Sequence, residues 1–125
     1  MPSAVIKKAK VFEDGGAQCM ARIVGQSAAY ITQASLTSIT CKVFSRDGTN
    51  VSTPTITIST SVFDTLQTDD RWDEDSTGYN FRHTVAASVL TTGNETYRIE
   101  YKFTPVSGEV FFVVFELSTI NVLTS

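Results

Sequence analysis

The sequence predicts an all-β fold: an antiparallel, two-layer β-sandwich of seven or eight short strands in one domain, residues 1–125, with a short helical turn near residues 61–67. Three observations carry this. Thr and Ser together make up 31 of the 125 residues, and Thr, Val, Ile, Phe and Tyr are the residue types that fit a pleated, half-buried surface. Apolar residues recur at every second position in several segments, and each such segment is closed by a turn rich in Gly, Pro, Asp or Asn. No segment keeps a helical period beyond a single turn. A chain of this length buries a core without disulfide or metal staples.

Taken in order, Val5 to Phe12 mixes apolar residues with lysines and stops at the turn signal EDGG. Ala17 to Val24 alternates, with Ala17, Cys19, Ala21 and Ile23 on one face. Ala29 to Thr32 is a short strand or an edge. Ser38 to Ser45 sets Ile39, Cys41 and Val43 against Thr40, Lys42 and Phe44, and Asp47-Gly48 supplies a hairpin-grade turn. Thr55 to Ser59 alternates again behind Pro54, which suits a strand start or an edge. From Ser61 to Leu66 the spacing of Val62, Phe63 and Leu66 fits one helical turn, with Ser61 and Asp64 as a weak capping pair. An irregular acidic loop runs to Gly78. Tyr79 to Val85 returns to period two. Thr91 to Asn94 is a turn. Tyr97 to Phe103 alternates most cleanly, and after TPVSGE the run Val110 to Leu117 closes a hairpin that Ser118 to Val122 extends.

Charge and composition narrow the function classes. A net charge of −3 with scattered basic residues, apart from Lys7, Lys8 and Lys10, lacks the basic footprint of a nucleic-acid binder. No run of about 18 apolar residues is present to span a membrane, and the start MPSAVIKKAK lacks the layout of a signal peptide. Synthesis in a cytoplasm is the expectation. Cys19 and Cys41 read as buried free thiols, with a disulfide between neighbouring strands as the alternative. Two cysteines and one histidine do not make a four-ligand zinc site. His83 falls on an inward strand face, and no nucleotide-binding or nucleophile motif appears. Neither enzymatic activity nor a cofactor is expected. The sequons at Asn50 and Asn94 are the chance yield of a Ser- and Thr-rich chain.

The most unusual stretch is FDTLQTDDRWDEDSTGYNF, residues 63–81, which holds six of the thirteen acids and the only tryptophan, Trp72. Asp73, Asp75, Thr77 and Gly78 mimic the first positions of an EF-hand loop, but the twelfth position is Thr84 where a bidentate Glu is required. A pair of catalytic carboxylates needs an apolar pocket to raise one pKa, and hydrated aspartates on a loop supply none. Trp72 beside Asp69, Asp70 and Asp73 is a candidate sugar or ligand platform. The bland reading is structural: Asp75 caps a turn, Gly78 takes positive φ, and Tyr79 turns its hydroxyl back to the loop. That arrangement is similar to the tyrosine corner of immunoglobulin-like domains, with Phe81 where their cysteine stands.

VFFVVFEL, residues 110–117, has no alternation, so both faces need cover. The second face, that of Phe111, Val113 and Phe115 or else that of Phe112 and Val114, needs cover from the Trp72 loop or from a partner chain, and Phe111, Val113 and Phe115 are candidate interface residues. The stretches SLTSITCKVFSRDGTNV and YRIEYKFTPVSGEVFFVVFEL resemble small immunoglobulin-like domains. The Thr-rich single-domain pattern is similar to tailed-bacteriophage virion components, the head–tail connector (neck) and capsid decoration proteins. The resemblance implies a non-enzymatic structural protein of the virion, assembled in the host cytoplasm. Its partners would be proteins, further copies or other virion components, with neither nucleic acid nor membrane. The alternative is a carbohydrate- or ligand-binding module centred on Trp72.

Overall fold

The computed structural model describes residues 6–12, 15–25, 29–69, 72 and 75–121, the first of these segments as backbone. Its strands are β1 (Ile6–Phe12), β2 (Ala17–Ala21), β3 (Leu36–Phe44), β4 (Asn50–Ser52), β5 (Val62–Gln67), β6 (Tyr79–Val85), β7 (Thr96–Pro105) and β8 (Phe111–Ile120), with one helical turn, α1 (Ile58–Ser61). They form two sheets. One has five strands in the order β1-β8-β7-β3-β4, and the other three in the order β2-β6-β5. The chain is an all-β sandwich.

Alternation decides which face of each strand enters the core. Ile39, Cys41 and Val43 of β3, and Tyr97, Ile99, Tyr101 and Phe103 of β7, are buried while their even-numbered neighbours are not. The register sets Ile39 opposite Phe103, Cys41 opposite Tyr101 and Val43 opposite Ile99, so both strands present one continuous apolar face. Phe81 of β6 meets that face from the other sheet. Its ring lies 4.9 Å from Tyr101 and 5.2 Å from Phe103, both edge-on. Phe103 in turn stacks on Phe111 at 5.0 Å. Burying one such ring contributes roughly 1.5–3 kcal/mol, and the edge-on geometry adds to it.

Three expectations are corrected. The sandwich is not wholly antiparallel, because β1 pairs with β8 in parallel, Ile6 opposite Val114 through Phe12 opposite Ile120. β1 and β8 lie at opposite ends of the sequence, so no hairpin turn joins them and imposes antiparallel pairing. The helical turn falls at Ile58–Ser61, not 61–67, where the chain is strand β5. Val62 is fully buried and pairs with Phe81, so core packing extends the backbone that local spacing would have coiled. Thr55 to Ser59 forms no strand beyond a single bridge from Thr55 to Thr40. Its alternation is nonetheless real, since Ile56 and Ile58 pack on the core while their neighbours face out. Period two reports burial, and a ladder also needs a free partner edge. Cys19 and Cys41 are the buried free thiols expected, on β2 and β3 of opposite sheets.

One face of the doubly apolar run is covered by the core of the sandwich. Phe111, Phe115 and Leu117 face the core, and Val113 packs against it. On the other face Val114 is only 8 % exposed, while Phe112 is 53 % exposed.

Candidate functional site

The acidic loop is built around one carboxylate. Asp75 Oδ1 accepts the indole Nε1–H of Trp72 at 2.9 Å and the backbone N–H groups of Thr77 and Gly78 at 3.0 and 3.1 Å. Arg22, at the end of β2, donates Nη1 to both oxygens at 3.0 and 2.8 Å and to the Gly78 carbonyl at 3.0 Å. These donors, Trp72 first, hold the Asp75 pKa well below the ordinary carboxylate range. A second acid is used in the same way. Tyr79 donates its hydroxyl to Asp69 Oδ2 at 2.6 Å and accepts Arg82 Nη1 at 3.2 Å. The rings follow the charges: Trp72 and Phe63 lie 5.6 and 5.8 Å from Tyr79, and the Arg82 guanidinium sits over Phe63. The Tyr79 hydroxyl thus binds a carboxylate, not the loop backbone, which corrects the expected corner.

Of the sequence-predicted residues, Trp72 and Asp69 converge on Tyr79. Asp70 and Asp73 lie outside the described residues. Phe111 and Phe115 lie in the core, and Val113 lies against it. Sequence reasoning missed Arg22, whose only signal was a charge on the outward face of an otherwise uncharged strand. It also missed Asn80, which is 1 % exposed on β6. Asn80 Oδ1 accepts the Ile23 N–H at 2.7 Å, and its amide donates to the carbonyls of Ile23 and Ile31 at 3.0 and 2.9 Å. One side chain therefore substitutes for a strand partner where β2 runs into the next loop.

A polar group also crosses the core. Cys19 on β2 stands opposite His83 on β6, and Cys41 on β3 stands opposite Tyr101 on β7. The Tyr101 hydroxyl meets His83 Nδ1 at 2.7 Å and interacts with both thiols. Both cysteines are free, and burial pushes each thiol up to about 12. Neither therefore reacts with an aromatic disulfide reagent at pH 8 in the native protein, and both react once the chain is unfolded in guanidinium. Rapid native labelling would contradict this placement. Burial lowers the His83 pKa, so the fold holds the imidazole neutral. The unfolded chain then binds the proton more tightly. Stability from this group is complete above the ordinary histidine value of about 6.5 and declines as pH falls below it. The free energy of unfolding in urea should decrease from pH 7.5 to pH 5, and His83→Gln should flatten that slope.

A groove of about 380 Å³ opens at one end of the sandwich, between Gly25 and residues 29–35 on one side and the β7–β8 hairpin on the other; Tyr30, Pro105, Val106, Glu109 and Phe111 line it. Among the described residues, no helix is long and apolar enough to cross a membrane, and no group of three or more His, Cys, Asp or Glu is placed to hold a metal ion.

Fold and site together define an all-β two-sheet sandwich whose acidic loop is braced by its own carboxylates. No protein-family model matches the chain, and neither a curated protein nor a solved structure matches it.

Proposed function

We propose that this chain is an immunoglobulin-like, non-catalytic structural component of a virus particle, of the tailed-phage neck or capsid-decoration kind. It acts through protein–protein contacts in an oligomeric assembly, with further copies or other virion proteins as partners. The observation that carries this reading is where the apolar surface lies. Of six large apolar side chains exposed among the described residues, Tyr30 and Val106 line the groove, and Val110 and Phe112 follow in the β7–β8 hairpin that forms one of its walls. Exposed apolar side chains gathered in one place mark contact surfaces.

Strand order supports the immunoglobulin-like part. The order β8-β7-β3-β4 against β2-β6-β5 corresponds to G-F-C-C′ against B-E-D. Tyr97, near the start of β7, accepts the Thr92 N–H on its hydroxyl at 3.1 Å, the place and bond of a tyrosine corner. With Tyr97 as the corner, Ile99 takes the place two residues on where antibody domains carry their F-strand cysteine, while Cys19 and Cys41 stand on the B and C strands.

Sedimentation of the purified chain over a wide concentration range tests the assembly reading: self-association supports it, and a strict monomer, also when mixed with other particle proteins, overturns it. Mass spectrometry of purified particles tests the virion assignment, which fails if the chain is absent from them. The geometry favours assembly over carbohydrate binding because the Trp72 N–H and the Asp75 carboxylate are already bound to each other. Specific signals on a glycan array that vanish in Trp72→Ala would reverse that preference.

A further inference from the structure

We propose that the outer face of the five-stranded sheet around Phe112 receives the acidic segment Asp69–Asp75 of a second copy of this chain. The inference rests on the assembly reading and specifies its contact. Lys102 stands directly opposite Phe112 on β8 and opposite Thr40 on β3, and Lys42 stands opposite Glu100. Lys42 and Lys102 are therefore diagonal neighbours on one face, and both are exposed. Glu100 does not neutralise Lys42, because Arg98 takes it at 2.6 Å and also reaches Glu116 at 4.0 Å. Neither lysine has a carboxylate partner among the described residues. Two like charges placed diagonally across a ladder repel, and an anionic partner removes that cost. The exposed Phe112 beside them adds an apolar anchor of the kind that centres an interface.

The chain itself carries the complementary group. Residues 69–75 hold five acids against one arginine, in a protein whose net charge is only −3; Asp69 and Asp75 are bound within the chain, which leaves Asp70, Asp73 and Glu74 as the acids that carry the contact. Asp70, Asp73 and Glu74 lie outside the described residues, so this segment is named by its sequence. Within one chain it follows β5 and precedes β6, in the sheet that does not contain Phe112. The acidic segment and the lysine pair therefore meet between copies.

Charge exchange tests this by sedimentation at about 50 mM salt. Lys42→Glu with Lys102→Glu should weaken self-association about tenfold, and so should Asp70→Lys with Asp73→Lys, while high salt should weaken the wild type. An equimolar mixture of the two double variants should associate again, because the altered face of the first then meets the altered segment of the second. Phe112→Ser should weaken association at any salt. Recovery in the mixture also establishes that both variants are folded. If the wild type self-associates and the double variants match it, or the mixture fails to recover, this contact is wrong while the assembly reading stands. If the wild type stays monomeric in isolation and beside other particle proteins, both fail.

Discussion

Asn80→Asp is expected to lower the stability of this domain by about 4 kcal/mol at pH 7, a large part of what holds a domain of this size together. Asn80 is the one side chain that accepts the Ile23 N–H and donates to the Ile23 and Ile31 carbonyls from a site 1 % exposed. A carboxylate keeps the first bond and loses both donations. It then faces two carbonyl oxygens without solvent, which costs more than an absent bond. The deficit has a characteristic pH dependence. The buried carboxyl is held above its unfolded value of about 3.9, so the lost stability returns as pH falls toward that value. The quantity to measure is the difference between wild type and variant in urea at pH 7.5 and 5, in which the His83 contribution cancels. Asn80→Ala should be destabilised with no such dependence. A deficit under 1 kcal/mol in both variants would show that Asn80 does not close this loop.

Gly78→Ala is the second large effect, about 3 kcal/mol. Gly78 has φ +104°, and a Cβ added there would collide with the Gln67 carbonyl oxygen. The residue sits where β5 and β6 first pair, Gln67 opposite Tyr79. Neither contribution is relieved cheaply. The backbone conformation costs an L-residue about 1–2 kcal/mol, and the clash is with backbone. Relief would require moving the Gly78 N–H and carbonyl that bind Asp75 and Arg22. The expected result is a lower urea midpoint with an unchanged slope, together with a shift in Trp72 fluorescence as the loop opens. Gly48, at φ +87° with open space around it, is the control, and Gly48→Ala should cost clearly less.

Much of this was legible before any coordinates. Alternation in β3, β6 and β7 is strong because one face of each strand is buried, and a slip of one residue would invert it. The turns were legible for a related reason: Gly48 and Gly78 occupy backbone conformations that other residues avoid. The α1 and β5 region was not legible. Four residues form α1 and six form β5, and in segments this short tertiary pairing outweighs local preference. At the candidate site the acids were conspicuous, but their partners were not. Arg22 lies 53 residues from Asp75, and no local pattern connects them.

The sequence by itself therefore determined the all-β class, most strand positions and the inward faces, since each follows from periodicity within a few residues. The tertiary structure alone decided the layer to which each strand belongs, the parallel pairing of β1 with β8, and the ties of Asp69 to Tyr79 and of Asp75 to Arg22. Those depend on contacts between residues far apart in the chain. A carboxylate reads the same in sequence whether it faces water, a ligand or an arginine from another strand. Only the placement of Arg22, Trp72 and the Gly78 amide around Asp75 distinguishes a brace from a binding site.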